Sequence, residues 1–203
     1  MFEADQQASL AIRDARAEEL DDVVRVLHLA YQEHIPSPML AARAQAWRTY
    51  WRDIGDVRGR LPCTELIVAE LADRIVGTVT LYPEGTRAEN GGWPAGWAGI
   101  RLLGVVPEAR GHGIGRALTE ECLDRARRHG AAVIGLHTID WMRVARGMYE
   151  RMGFQRVPEH DFRPVPDLTV LAYRLAVGPE ILRKKQHVAP PTRNTRPSCP
   201  GPA

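Results

Sequence analysis

The sequence predicts an α/β protein with a mixed central β-sheet flanked by helices. Segments with apolar residues three and four positions apart, typical of helices, alternate with short runs rich in β-branched residues, typical of strands. In the middle of the chain, a buried strand, a glycine turn, a helix and a second buried strand follow one another directly. That succession favours a parallel crossover, since parallel strands need a long connection such as a helix.

The first half of the chain has a distinct signal for each element. Residues 10–13 favour a short strand, and the apolar residues from Leu20 to Tyr31 recur at helical spacing behind a cluster of acids that suits a helix N-terminus. A second helix is predicted along the apolar stripe from Leu40 to Ile54, after two prolines. Two β-branched runs joined by a tight polar turn then predict a hairpin, at residues 65–71 and 75–82.

The second half begins with a segment dense in Gly and Pro, residues 83–99, which is predicted to be a loop throughout. The patterns that follow predict strands, helices and closing strands in alternation. In chain order these are a strand at 100–106, a helix at 114–130, a strand at 132–138, a helix at 142–152, and strands at 154–157 and 168–177.

The chain of 203 residues, 44% of them hydrophobic, fits a single domain, which we place at residues 1–182. Residues 183–203 hold five prolines and five of the 27 basic residues but no acid, so this Pro-rich basic tail is predicted to be disordered. The remaining 22 basic residues face 25 acids. The body therefore has no basic excess, and nucleic acid is not an expected partner.

Other classes of protein are disfavoured as well. The longest apolar runs are far shorter than the roughly 18 residues of a membrane helix, so no membrane partner is expected. The first residues carry acids in place of the basic start and apolar middle of a secretory signal, which makes the cytoplasm the expected location. The three cysteines have no short spacing, so no metal site is predicted.

The most informative segment is the strand, turn and helix that reads Leu103-Gly-Val-Val-Pro-Glu-Ala-Arg-Gly-His-Gly-Ile-Gly-Arg116. Its three glycines let the backbone approach a ligand closely, and the first amides of a helix have no partner within the helix. The helix dipole and the charges of Arg110 and Arg116 add attraction for an anion. The segment therefore predicts a site for the pyrophosphate of a nucleotide-type cofactor.

Two common phosphate-binding motifs do not match this segment. A nucleoside triphosphate loop has Lys and then Ser or Thr after its last glycine, whereas Gly115 is followed by Arg116 and Ala117. In the dinucleotide fingerprint, Gly113 and Gly115 would require a third Gly, or Ala, where the chain has Leu118.

Two motifs resemble those of one family. Arg110-Gly-His-Gly-Ile-Gly115 resembles the Arg/Gln-x-x-Gly-x-Gly/Ala signature of the Gcn5-related N-acetyltransferases (GNAT family), and Met148-Tyr-Glu-Arg-Met-Gly-Phe154 resembles their later Leu-Tyr-x-x-x-Gly-Phe element. The resemblance covers residues 10–177 in element order and is specific over 100–157. It implies an acyl-CoA N-acyltransferase fold with splayed central strands, acetyl-CoA as co-substrate, and a primary amine of a small molecule or peptide as acceptor.

The resemblance also implies roles for individual residues. The backbones of Leu103 and Val105 would bind the pantetheine arm, and Tyr149 would be the general acid that protonates the leaving thiolate during direct attack on the thioester. The Val105 N–H would also polarise the thioester carbonyl. The pyrophosphate would bind the amides of the turn, which belong to Gly111, His112, Gly113, Ile114, Gly115 and Arg116.

The chain departs from the family pattern at two positions. Met142 stands where an Asn often contacts the cofactor, and Ala98-Gly99-Ile100-Arg101 lacks the Glu that often serves as base. The base is therefore open, with candidates at Glu84, Glu89, His137 and Asp140. These departures leave two alternatives: a catalytically inactive CoA-binding module, or the same fold acting with a different acyl-CoA. Family members commonly pair, which leaves a homodimer open.

Several of these residues also have a purely structural interpretation. Tyr149 at its helical spacing is also typical of a residue packed against a sheet, and His137 on a buried strand is more typical of a core histidine than of a base. Packing is favoured for the helical pair Trp47 and Trp51. The loop tryptophans Trp93 and Trp97 fit either an acceptor pocket or loop anchors.

Overall fold

The computed structural model describes residues 9–34, 41–87, 92–165 and 168–178, and the base candidate Glu89 and the predicted tail at 183–203 lie outside them. These residues form an eight-stranded sheet in the order β1-β2-β3-β4-β5-β8-β6, with β7 paired to β8. The strands are β1 Ala11–Asp14, β2 Glu65–Leu71, β3 Arg74–Tyr82, β4 Trp97–Val105, β5 Val133–Ile139, β6 Gln155–Arg156, β7 Phe162–Val165 and β8 Leu168–Ala176. The helices are α1 Leu20–Tyr31, α2 Ala41–Gly55, α3 Val57–Arg60, α4 Ile114–Arg128 and α5 Arg143–Arg151.

Helices α1 and α4 cover opposite faces of the sheet. A Cβ added at Gly104 of β4 would lie 3.0 Å from the Ala30 side chain of α1, whereas one at Gly77 of β3 would lie 3.1 Å from Ile114 and from Leu118 of α4. Gly77 pairs with Val105, the residue after Gly104, and successive residues of a strand point to opposite faces. The sheet is therefore the middle layer of three.

The apolar stripe read from the sequence makes the inner face of α1. Val23, Val26 and Leu27 are fully buried, and each such side chain contributes about 1.5–3 kcal/mol relative to leaving it in water. Cys122 of α4 is likewise a fully buried free thiol. The mixed α/β fold class is confirmed, with β4 and β5 as its parallel pair.

Some boundaries differ from the sequence prediction. Strand β4 begins at Trp97, so the prediction that residues 83–99 are loop throughout is wrong for the last three. These residues follow directly after Gly96, whose φ of 81° ends the turn. They pair with Val133–Gly135 on β5. Strand β6 is only two residues long, and β7 and α3 were not predicted because each is a four-residue element without a periodic pattern.

The parallel ladder between β4 and β5 ends after four rungs, from Trp97 opposite Val133 to Ile100 opposite Leu136. Beyond this point β4 pairs only with β3, and a register shift places Leu102 and Leu103 opposite Val79. Leu102 has a φ of 53°, so the strand bulges where it leaves β5. A V-shaped gap therefore opens between residues 101–105 of β4 and the end of β5, and the splayed central strands are present.

Candidate functional site

The turn between β4 and α4 presents unpartnered amides to solvent. Gly111 and Gly113 have φ values of 82° and 78°, and no heavy atom lies within 4 Å of a Cβ added at either. The first helical bond runs from the Ala117 N–H to the Gly113 carbonyl, 2.9 Å away. The amides of residues 111–116 thus have no acceptor in the described part of the chain. Amides converging at a helix start form a cradle for an anion.

The charged side chains at this turn have partners of their own. The Arg110 guanidinium donates to the carbonyls of Val105 and Ala30, both at 3.1 Å, and to the Glu33 carboxylate at 2.5 Å. Arg110 therefore joins the end of α1 to the end of β4, with Glu33 offsetting its charge. The Arg116 guanidinium is exposed and donates to Glu120 at 2.8 Å, one helical turn onward.

His112 is exposed, and its Nδ1 lies 3.3 Å from the Ala109 carbonyl. Its ring is thus turned back onto the preceding residues. What His112 offers a ligand is its main-chain N–H.

Val105 directs its backbone polar groups into the gap. The Val106 N–H donates to the Val76 carbonyl of β3, at 2.9 Å. The backbone N–H and C=O groups of successive residues in an antiparallel strand point to opposite edges. Because those of Val106 point toward β3, the Val105 N–H and carbonyl face away from it. The Arg110 bond to the Val105 carbonyl agrees with this direction, which leaves the Val105 N–H at the open edge.

Leu103 shares the open edge through the bulge. Its carbonyl accepts a hydrogen bond from the Tyr31 hydroxyl at 3.1 Å. That contact occupies one lone pair of the carbonyl and leaves the second available, since a carbonyl oxygen accepts two bonds.

Tyr149 lies on α5, which packs beside the gap. A Cβ added at Gly115 of α4 would lie 3.6 Å from the Met148 sulfur and 3.9 Å from the side chains of Leu103 and Val105. The tyrosine next to Met148 is 5% exposed, and its ring meets Phe154 edge-on, 5.6 Å between ring centres. The structure therefore brings α5, the start of α4 and the open edge of β4 together.

The Tyr149 phenol stays protonated at neutral pH. Burial, and to a smaller degree the nearby Cys122, raises its pKa above the ordinary value of 10. Within the described residues its hydroxyl has no hydrogen-bond partner. A neutral phenol without a partner is a proton donor that remains available to a ligand.

The base candidates lie in different surroundings. His137 stacks on Trp93 with 4.4 Å between ring centres, its Nε2 lies 3.1 Å from the His160 carbonyl, and burial lowers its pKa. It is therefore neutral at pH 7 and has the contacts of a core histidine. Asp140 is exposed and paired with Arg146, and Glu84 is exposed on the surface. The hydrogen-bond partners of His137 and Asp140, the His160 carbonyl and Arg146, do not lie on β4.

Met142, at the position of the family's frequent Asn, precedes the first residue of α5. Its sulfur accepts a hydrogen bond from the Thr138 hydroxyl at 3.7 Å, and its side chain packs against the main core. Within the described ranges no group of three His, Cys, Asp or Glu side chains is arranged to hold a metal ion.

The tryptophans have packing contacts. Trp93 is 4% exposed and stacks on Trp97 at 5.6 Å between ring centres, and a Cβ at Gly135 of β5 would collide with its ring at 2.5 Å. On α2, Trp51 stacks on His28 at 4.5 Å. Trp93 is thus an anchor that holds its loop on the sheet.

Sequence reasoning missed a group of polar residues where α1, α2 and β4 meet, which we call the α2 polar cluster: Tyr31, Tyr50, Asp53, Arg60 and Arg101. Arg101 forms an ion pair with Asp53, and the rings of Tyr31 and Tyr50 meet edge-on with 6.3 Å between ring centres. Burial raises the pKa of Tyr50 to about 12. No local pattern signals this cluster, because its members are up to 70 positions apart and only the fold brings them together.

Comparison with known proteins agrees with this geometry. Residues 21–154 match the family model described as "Acetyltransferase (GNAT) family", which is more than half of the chain. The chain therefore belongs to the GNAT family.

Among curated proteins, a mycothiol acetyltransferase of Beutenbergia cavernae is 40% identical over 67 residues, which is 33% of this chain and 23% of that protein. One of Geodermatophilus obscurus is 34% identical over 86 residues, 41% of this chain and 26% of that protein. The N-alpha-acetyltransferase 30 of Schizosaccharomyces pombe is 42% identical over 57 residues, 28% of this chain and 38% of that protein. The chain thus matches about a quarter of the length of the mycothiol acetyltransferases.

Solved structures share the fold at low identity. A GNAT acetyltransferase of Staphylococcus aureus superposes with a TM-score of 0.62 at 17% identity, covering 83% of this chain and 99% of that one. A GNAT acetyltransferase of Brucella melitensis in complex with acetyl-CoA gives a TM-score of 0.57 at 23% identity, covering 86% and 92%. None of the helices among the described residues is both long enough and apolar enough to cross a membrane.

Proposed function

We propose that this protein transfers an acetyl group from acetyl-CoA to a primary amine of a small molecule or peptide. The observation that carries the proposal is the juxtaposition of two openings, the unpartnered amides of residues 111–116 and the V-shaped gap that starts beyond Ile100. An anionic head group bound at these amides would place the arm attached to it in the gap.

The binding roles follow from the free backbone groups. The amides of residues 111–116 hold the pyrophosphate, helped by the partial positive charge of the α4 N-terminus. The pantetheine arm lies along the open edge of β4, where its amides bond the backbones of Leu103 and Val105 as a neighbouring strand would. Arg110 supports this edge from behind through its bond to the Val105 carbonyl.

The chemical step needs no covalent enzyme intermediate. The acceptor ammonium first loses a proton, and the neutral amine then attacks the thioester carbonyl, whose oxygen accepts from the Val105 N–H. The C–N bond forms as the C–S bond breaks, and the departing thiolate takes the Tyr149 hydroxyl proton. The tyrosinate is reprotonated from solvent after the amide nitrogen has lost its second proton, so the products are the N-acetyl amine, CoA thiol and one proton.

The relatives support acetyl transfer as the reaction class. Curated relatives are named acetyltransferases, and solved neighbours include complexes with acetyl-CoA or coenzyme A. Because the chain spans only part of the curated relatives, their acceptors are not carried over.

Two measurements test the proposal. Calorimetric titration with acetyl-CoA should give saturable binding, and a panel of primary amines should include at least one that releases CoA thiol at an enzyme-dependent rate. Binding without thiol release from any amine would favour the inactive binding module. Release that is faster with propionyl- or succinyl-CoA would assign a different acyl group. No binding of any acyl-CoA would refute the proposal.

A further inference from the structure

His137 borders the narrow end of the gap on the β5 side. It is the first β5 residue past the last rung of the parallel ladder, which joins Ile100 and Leu136. An arm that runs from the amide cradle along the open edge of β4 would bring its acyl end to the bulge at Leu102, which is at this same end of the gap. His137 therefore lies on the opposite strand from the position that the proposed function gives to the thioester.

The His137 ring points into the layer of helices that contains α2. Gly135 and His137 are two residues apart on β5 and so share a face of the sheet, and the Trp93 ring covers both. Phe162 meets the His137 ring edge-on at 5.1 Å between ring centres, and its strand β7 contacts α2. Tyr149, in contrast, is on α5, which approaches the start of α4 on the other face. The imidazole and the phenol thus border the gap from opposite faces.

The two ring nitrogens of His137 have different surroundings. Nε2 lies 3.1 Å from the His160 carbonyl, and because a carbonyl only accepts, Nε2 carries the proton and Nδ1 keeps its lone pair. Among the described residues, Nδ1 has no hydrogen-bond partner. The side-chain nitrogens that are both unpartnered and closed to solvent in this part of the chain belong to His28, Trp47 and Arg146. The His137 Nδ1 is therefore open to solvent.

The surroundings of His137 keep the imidazole neutral at pH 7. Burial is the main cause of its lowered pKa, and the charges of His160 and Arg101 act in the same direction. The hydrogen bond to the His160 carbonyl and the charge of Asp161 oppose this lowering without cancelling it. The ring contacts come from uncharged aromatic side chains. The unprotonated Nδ1 is thus available as a proton acceptor.

We propose that His137 is the general base, which accepts at Nδ1 the proton that the acceptor ammonium loses before attack. The proposal rests on the acetyl-transfer function above and supplies the residue for its first step. The N–H bond of the ammonium breaks, its electron pair stays on nitrogen for the attack on the thioester carbonyl, and the imidazolium later passes the proton to solvent. The Nε2 bond to the His160 carbonyl orients the ring and strengthens when the ring becomes positive.

The first test is the pH dependence of the unmodified protein. With saturating acetyl-CoA, kcat is measured from pH 5 to 10 for the fastest amine of a panel that includes a peptide with a free α-amino group, phenethylamine, putrescine and glucosamine. Because the base must be unprotonated, kcat should fall as the pH drops through the pKa of His137, with a midpoint below the ordinary 6.5. A kcat that stays constant down to pH 5, or falls with a midpoint above 6.5, would overturn the proposal.

The His137→Gln variant separates catalysis from packing. The glutamine amide can keep a hydrogen bond to the His160 carbonyl but cannot take up a proton. At pH 7 its kcat/KM for the amine should be about 10²-fold below that of the unmodified protein, the low end for general base catalysis. The ratio of the two should approach 1 near pH 10, where much of the amine arrives already neutral and needs no base. A packing defect would lower the rate by the same factor at every pH.

Two further variants control for packing and for histidines elsewhere. His137→Phe keeps a ring on Trp93 and loses both nitrogens, so it should show the same loss and the same recovery near pH 10. His129→Gln, at a histidine paired with Glu65 on the exposed turn after α4, should keep kcat/KM and the acid limb of the profile. Thermal melting shows whether each variant folds, and the pH profile of the unmodified protein stands without them.

The outcomes distinguish the two proposals. An unchanged kcat/KM at pH 7 in a folded His137→Gln variant, or a loss that is the same at pH 7 and pH 10, would overturn the role as base while leaving acetyl transfer in place. Absence of acetyl-CoA binding, or of thiol release with every amine, would instead refute the proposed function.

Discussion

At the scale of single residues, Tyr149 shows how burial prepares a side chain for chemistry. Its phenol lies in the core beside Phe154, and the resulting rise in pKa keeps its proton in place. Because the pKa is raised, the neutral form persists from acid pH to beyond the ordinary value of about 10. Deprotonation of Tyr149 should therefore cause no loss of activity as the pH rises from neutral to about 10.

The Tyr149→Phe variant tests this role. It removes the hydroxyl and keeps the ring that contacts Phe154, so we expect kcat to fall about 10²-fold with acetyl-CoA affinity nearly unchanged. Steady-state kinetics and calorimetric titration measure the two quantities separately. An unchanged kcat would remove Tyr149 from the mechanism.

The residues foreseen from the sequence are those whose signal is local. Gly111 and Gly113 have the positive φ values that a glycine turn before a helix indicates, and Tyr149 follows its motif onto α5. The ion pair between Asp53 and Arg101 spans 48 positions and has no local signature. The side-chain contacts of Arg110 were missed for the same reason, since the sequence shows a charge near a turn and not its distant partner Glu33.

At the scale of elements, helix α4 has a left-handed glycine near each end. Gly113 precedes its first turn with a φ of 78°, and Gly130 follows its last turn with a φ of 74°. No heavy atom lies within 4 Å of a Cβ added at either. The two positions therefore impose the same backbone requirement, and only Gly113 lies among the amides of the anion cradle.

This symmetry gives a matched pair of variants. Gly113→Ala and Gly130→Ala should each destabilise the fold by about 1 kcal/mol, the strain of an L-residue in this conformation. Only Gly113→Ala should weaken acetyl-CoA binding, by about tenfold, because its methyl group enters the open space beside the amides. Urea unfolding measures the loss of stability, and calorimetric titration measures the affinity for acetyl-CoA. Equal affinities in the two variants would mean that the cradle does not hold the cofactor.

Strand β4 was predicted from the sequence only in part. Its buried centre was predicted from the apolar run, but its first residues, Trp97–Gly99, were assigned to the loop because Gly and Pro are dense there. Pairing with β5 overrides that composition. The bulge at Leu102 was not foreseen, since Leu has no sequence tendency toward a positive φ.

At the scale of the whole molecule, charged groups join elements that are distant in the chain. Arg13 of β1 contacts Glu19, just before α1, at 2.6 Å and also contacts Glu70 of β2. Chiefly because of its hydrogen bonds from Arg13, the pKa of Glu19 is lowered to about 2 from an ordinary value of 4.5. A lowered carboxyl pKa adds stability above the unfolded-state value, and the protein loses it as the pH falls from about 4.5 to about 2.

Glu19→Gln should therefore reduce the stability of the fold by about 1 kcal/mol at pH 7 and by progressively less below pH 4.5. Urea unfolding at pH 7, 4 and 3 measures the difference in unfolding free energy between the unmodified protein and the Glu19→Gln variant. Glu18→Gln, at the exposed neighbouring position, serves as the control. A difference that stays constant from pH 7 to pH 3 would contradict this account of Glu19.

The short ladder between β4 and β5 also divides the molecule. Strands β1 to β4 with α1 and α4 make up one side, strands β5 to β8 with α5 the other, and four backbone rungs cross the sheet between them. The exposed turn at His129 and Gly130 is where the chain passes from one side to the other. Two polypeptides cut at that turn would meet through those rungs, through the rings around Trp93 and through the main core, which takes residues such as Leu118 from one side and Tyr149 from the other. A compound seated in the gap would touch both pieces and so act as a chemical inducer of their reassembly.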